Sequence, residues 1–374
     1  MPGTSDRRAS ADPAIALVSI FELAVESAII CGMTYTPSLD NGDLLEWATV
    51  RATDVEWPGL LLGNGASIAV SDSFDYESLY AVACSGDLDE PLSAEAQALF
   101  DEFNTTNFEY VLASLKIAGQ VCGAVGIDAD ELPPLYEEVQ RALFDAVALV
   151  HVDWDTVTTR TLPRIRRELV RYDDIFSTNY DLLVYWAMLA GGDPDDFRDF
   201  FWNPDNAFDA TNTEVWGDPT LVYYLHGGLH LRRTIDGGSF KQTATGANLL
   251  AQFPTSWESD ETPLLVSEGD STDKLMSINR SDYLSFAYRA LVDHAANLVI
   301  CGHGLRDADD HIVRAINSWG RRQIAISVRP GTRRAVRQRK QWLAQRLPHA
   351  DLWFYDAETH PLGAASVRPS TPRV

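Results

Sequence analysis

The sequence predicts an α/β fold, a doubly wound parallel sheet carrying a helical insertion. Three observations lead there. Apolar runs that stop at small or polar residues recur along the chain. They are continuous rather than alternating, as in strands covered on both faces. Helical periodicity fills the spaces between them, and strand alternating with helix is the pattern of a doubly wound sheet.

Taken in order, the expected strands are 59–62, 175–177, 221–225, 263–266, 297–301, 323–328 and 352–355. The expected helices are 94–103, 107–121, 135–150, 156–169, 283–296, 309–319 and 333–347. Between 62 and 175 the signals are helical only, so 92–169 reads as an insertion into a single domain of about 51–360. Residues 1–50 read as an N-terminal extension, with Met33 an alternative start, and 361–374 as a flexible tail. The stretch 191–219 is rich in Asp, Asn, Phe and Trp and reads as a surface excursion or lid.

Composition narrows the function. With 45% hydrophobic residues over 374 positions, most of the chain is not disordered. Its 30 basic and 54 acidic residues give −24, which repels nucleic-acid backbones and anionic membranes over most of the surface. Cys31, Cys84, Cys122 and Cys301 form no CxxC pair, so neither structural zinc nor a disulfide scaffold is expected. Glu22 and Glu26 interrupt the apolar run 14–33, against both a signal peptide and a membrane span. The expectation is a cytoplasmic protein.

Four strand ends carry polar clusters. Leu62-Gly63-Asn64-Gly65-Ala66-Ser67 is a strand running into Gly-x-Gly and a helix, which suits an anion at the helix start. Ile68 stands where the dinucleotide fingerprint wants a third glycine, so a plain dehydrogenase is not expected. Ser177-Thr178-Asn179-Tyr180-Asp181 either reaches a ligand or caps the helix that follows. Leu225-His226-Gly227 places an imidazole, the usual general base at neutral pH, beside a residue without a side chain. Cys301-Gly302-His303-Gly304-Leu305-Arg306-Asp307 is the fourth. A metal site from His303, Asp307 and His311 is conceivable but disfavoured.

In this order GNGAS, STNYD, LHG and CGHGLRD resemble the sirtuin-like family, and more narrowly the bacterial sirtuin-like NAD hydrolases of antiphage defence. Ser281-Asp282-Tyr283-Leu284 is also similar to a recurrent element of that group, and the likeness spans about 58–306. It implies a Rossmann-like sheet, NAD as substrate and no metal. Gly63, Gly65, Ala66 and Ser67 would line the pyrophosphate, with Asn64, Thr178 and Gly227 also at the nucleotide. Asn179 would position water at the nicotinamide ribose and Asp181 would meet the carboxamide. His226 would be catalytic, and Gly302 with His303 would hold the adenosine half. A homo-oligomer or an activating partner is expected, with no membrane and no nucleic acid. Paired zinc cysteines and a peptide-binding segment are missing, which disfavours lysine deacylation; Asn64 replaces a common alanine.

Two rivals remain. The same residues would serve a non-catalytic sensor of NAD or ADP-ribose-type nucleotides. The arginine-rich stretch 321–340 could bind nucleic acid or a partner, or form an amphipathic helix with Val336, Leu343 and Leu347 inward.

Overall fold

The computed structural model describes residues 39–211, 218–234, 238–243, 261–266 and 271–369. Seven strands form one all-parallel sheet: β1 (Gly59–Leu62), β2 (Asp174–Ser177), β3 (Phe197–Arg198), β4 (Thr220–Tyr224), β8 (Leu298–Cys301), β9 (Gln323–Val328) and β10 (Asp351–Asp356). Their spatial order is β10-β9-β8-β1-β2-β4-β3. The expected α/β class and the helical insertion are both present. Leu60, Leu61, Val299, Ile300 and Ile326 are fully buried, as strands covered on both faces require. From β1 the chain first builds toward β3, then returns to build toward β10. The sheet therefore reverses direction between β1 and β8, and a ligand crevice is expected outside the carboxyl ends there.

The expected strand 263–266 exists but belongs elsewhere. It is β7 (Glu261–Leu265), antiparallel to β5 (Gly227–Thr234), whose other edge holds β6 (Ser239–Lys241). Only Leu225 and His226 separate β4 from β5. Two residues cannot make a parallel crossover, so β5 starts a second sheet.

The insertion is helical throughout. The helix Leu132–Val150 buries Val139, Leu143, Phe144 and Val147 along one face, and begins before 135 because Pro133 and Pro134 fit a first turn. The single helix expected over 156–169 is two, Trp154–Val157 and Thr161–Leu169. Pro163 lacks an N–H and is tolerated only in the first turn, so the second helix restarts at Thr161.

Three further boundaries move. The supposed excursion 191–219 contributes β3 to the sheet edge, with Phe197, Phe200 and Phe201 buried and Asp199 clamped by Lys241 Nζ at 2.8 Å. Residues 212–217 of that stretch, like Met33, lie outside the described residues. The extension is docked from Leu45, which bridges to Tyr355, through Trp47 and Val50, both buried. The tail is packed as far as Val367, whose carbonyl accepts from Thr161 Oγ1. Among the described residues no helix is long and apolar enough to cross a membrane.

The arginine-rich stretch is largely bound internally. Arg321 pairs with Asp351 and Arg333 with Asp43, Lys340 meets Asn41, and Arg322 is buried on backbone carbonyls. Its helix, Arg333–Arg346, turns Val336 and Leu343 into the core.

Candidate functional site

The turn after β1 and the turn after β8 touch each other, which explains the glycines. Gly63 N–H donates to Cys301 O at 3.0 Å and Gly65 N–H to Gly302 O at 2.9 Å. A Cβ on Gly63 would stand 2.5 Å from His303 Cα, and one on Gly65 would stand 2.8 Å from Gly302 Cα. Gly302 has φ +71°, and a Cβ there would meet Ala66 N at 2.4 Å. Asn64 ties the start of the helix Asn64–Val70 to Phe74 O at 3.0 Å.

Beside this turn lies a buried polar relay. Asn179 Nδ2 donates to Ser67 Oγ at 2.8 Å, and Ser67 donates to Asp181 Oδ2 at 2.5 Å. The second carboxylate oxygen, Asp181 Oδ1, accepts the N–H of Leu183 at 2.8 Å. Capping therefore falls to Asp181, while Asn179 is held by Ser67 and is not a cap. Asn179 is 6% exposed, and its Oδ1 is buried without a partner. Thr178 locks β2 to β1 through Leu62 O. From the insertion, His151 Nε2 accepts the Leu182 N–H at 2.9 Å while Nδ1–H donates to Val152 O. Burial lowers the His151 pKa, which suits this neutral ring.

His226 sits between β4 and β5, two residues beyond the end of β4 rather than on it. Its Nε2 meets His311 Nε2 at 2.9 Å, and the residue lines the cleft. Burial pushes the His226 pKa well below the usual 6.5, and the Lys274 ammonium adds to this. Burial likewise takes His311 down to about 3. Lys274, 1% exposed, places Nζ 3.0 Å from Asp309 Oδ1. Burial alone would raise Asp309; Lys274, His303 and His226 outweigh it and hold the carboxyl well below its usual range. His303 Nδ1 accepts from Leu305 N–H, and its Nε2 lies 3.8 Å from Asp309 Oδ2.

His226, Asp309 and His311 bring ligand-type atoms within 4.8 Å of one another. This is not the trio considered from sequence, since Asp307 turns outward to Arg346 at 2.9 Å. The arrangement suits a metal poorly: the two imidazoles already bond each other, and the Lys274 ammonium occupies the carboxylate.

All four strand-end motifs border one cleft of about 320 Å³. Asn64, Gly65, Thr178, Asn179, Asp181, His226, Gly302 and His303 line it. Gly63, Ala66, Ser67 and Gly227 do not; they act from behind it. Gly227, at φ +77°, lets β5 pass Leu264 O, which a Cβ would meet at 1.8 Å. Phe74, Leu79, Leu143 and Val147 supply an apolar wall, the last two from the insertion. Among the described residues, none from 191–219 lines the cleft, and part of the apolar wall comes from 132–150. Sequence reasoning missed Lys274 and His151 beside the site, and it gave Arg306 and Arg329, which line the cleft, no role there.

A family model described as "Domain of unknown function (DUF4917)" matches residues 60–362, which spans the sheet and every lining residue of the cleft. No curated protein matches the chain.

Proposed function

We propose that this chain, which belongs to the DUF4917 family, hydrolyses the N-glycosidic bond of an NAD-type dinucleotide to nicotinamide and ADP-ribose. One observation carries the reading. Asn179, whose Oδ1 is a buried acceptor without a partner, and His226 line the same cleft, beside the interlocked turns that follow β1 and β8. A buried acceptor left unpaired costs about 1–3 kcal/mol, which a bound hydroxyl or water recovers.

The chemistry asks little of the protein. The C1′–N bond breaks with its electron pair leaving on nicotinamide, which departs neutral, and a water oxygen attacks C1′. Ser67 fixes the Asn179 amide so that Oδ1 accepts from that water or from a ribose hydroxyl. His226 in the tautomer with its proton on Nε2, donated to His311, takes the water proton on Nδ1. Burial keeps His226 neutral, so the acceptor form is present at neutral pH. The apolar wall from Leu143 and Val147 excludes bulk water.

The same depressed basicity favours a second reading, a nucleotide sensor without turnover, because a weak base is a slow one. Purified full-length protein incubated with NAD, followed by chromatography, separates them. Nicotinamide and ADP-ribose appearing in equal amounts, and lost in His226→Ala, support hydrolysis. Saturable ADP-ribose binding without any nicotinamide release supports the sensor. An oligomer or an activator, implied by the resemblance, is read from mass in solution with and without NAD.

A further inference from the structure

Two arginines at the far end of the cleft stand unpaired. Arg306 follows β8, Arg329 follows β9, and both line the cleft. Among the described residues neither side chain makes an ion pair or a hydrogen bond. Elsewhere Arg321, Arg333, Arg346 and Arg368 each hold a carboxylate. Arg306 and Arg329 are both exposed, and both border the same cavity. A third cation lies close by. Arg339 donates to Gly304 O at 2.5 Å, and burial together with the charges of Arg306 and Arg346 lowers its pKa.

The acids on the cleft wall are already engaged. Asp75 accepts from Ser78 N–H, Asp181 holds Ser67 and Leu183, and Asp309 holds Lys274. Among the described residues, no carboxylate lining the cleft is therefore free at the β8–β9 end to accept a ribose 2′-hydroxyl. In doubly wound nucleotide folds an acid at that ribose selects the unphosphorylated sugar, and an arginine accommodates a 2′-phosphate.

Length agrees. From β2, which ends before Asn179, to β9, which ends before Arg329, are three strand intervals, roughly 14 Å at about 4.8 Å each. A dinucleotide lying across the strand ends, with its nicotinamide ribose at Asn179 and His226, sets its adenosine ribose over β8 and β9.

We propose that Arg306 and Arg329 grip a phosphate on the adenosine ribose, so that the preferred substrate is the 2′-phosphorylated dinucleotide, NADP, rather than NAD. This rests on the dinucleotide reading of the cleft and adds its substrate class. The two arginines then discriminate by charge, as guanidinium groups do with phosphate.

Equilibrium binding of the two products, ADP-ribose and 2′-phospho-ADP-ribose, to the full chain tests this without requiring turnover. The wild type is expected to bind the phosphorylated product at least about tenfold more tightly, as one or two charge-assisted hydrogen bonds imply. Arg306→Ala, Arg329→Ala and the double variant should bring the ratio toward one, with Arg329→Lys recovering part of it. Melting temperatures report whether each variant is folded. Equal wild-type affinities overturn the proposal, as does an equal loss for both ligands, which would assign the arginines to the pyrophosphate; the dinucleotide reading survives either result. Failure to bind either ligand removes the dinucleotide reading, and the proposal with it.

Discussion

His226 and His311 meet Nε2 to Nε2 at 2.9 Å, so one of two buried imidazoles must donate and the other accept. The pair works as a unit, and His226 is 3% exposed rather than a polar group open to solvent. His226→Ala should lower nicotinamide release about 10²–10⁴-fold. It should also cost about 1–3 kcal/mol of stability, because His311 keeps a buried nitrogen with no partner. Turnover and melting temperature measured on one preparation check both parts. Full turnover in this variant would end the mechanism.

Asn179 separates catalysis from stability more cleanly. Its Nδ2 makes one hydrogen bond, to Ser67, while Oδ1 makes none. Asn179→Ala should cost no more than about 0.5–1.5 kcal/mol, yet abolish turnover. Ser67→Ala should lower turnover less, by freeing the amide to rotate, and should raise KM. A stability loss in Asn179→Ala that exceeds the Ser67 variant's, with turnover preserved, would return this residue to a structural role.

Gly65 and Gly302 are wedged against one another. Gly302→Ala forces a side chain into a left-handed backbone at φ +71° and onto Ala66 N, which should cost at least about 1–3 kcal/mol. Gly65→Val should damage folding as well as ligand binding, since its Cβ meets Gly302 before any ligand. Thermal melts of the apo protein read this; an unchanged melt with lost binding would put the crowding in the cleft alone.

Acid should destabilise the fold through neutral histidines. Burial holds His311 and His360 to about 3, against 6.5 for an unburied ring. Below 6.5 the unfolded chain binds protons that the native chain refuses. Stability is therefore complete above that pH and falls as pH drops toward about 3, by about 1.4 kcal/mol per unit for each ring. Urea titrations at pH 7.5, 6.0 and 5.0 should show falling midpoints, with a shallower fall in His360→Gln. A flat profile would contradict it.

Chelation should leave the protein unchanged. Lys274 and the direct imidazole pair satisfy the only metal-type cluster found among the described residues. Dialysis against EDTA should alter neither melting temperature nor ADP-ribose binding, and stoichiometric bound metal would refute this.

Strands with continuous apolar runs could be read from sequence, and 59–62 and 323–328 coincide with β1 and β9. β5 could not, because His230, Arg232 and Arg233 break its apolarity, and its register with β7 shifts between Gly227 and Arg232. β3 was hidden by its length of two residues. At the site, polar residues at strand ends announced Asn179, Asp181 and His226. Their partners did not announce themselves: Ser67 lies 112 positions from Asn179, and His311 lies 85 from His226. Such pairs exist only because a parallel sheet stacks distant strand ends on one edge. The division of labour between glycines was also illegible, since spacing cannot tell a turn that admits a ligand from a turn that admits another turn.

His151 joins the helix Leu132–Val150 to the peptide that follows Asp181, while Leu143 and Val147 of that helix face the cleft. Reciprocity follows from thermodynamic linkage. On the proposed reading, whatever draws this helix toward the sheet should tighten the hold on a ligand, and an occupied cleft should stiffen the helix by the same free energy. An outside protein that touched only the insertion would thereby act on the chemistry without approaching the sheet.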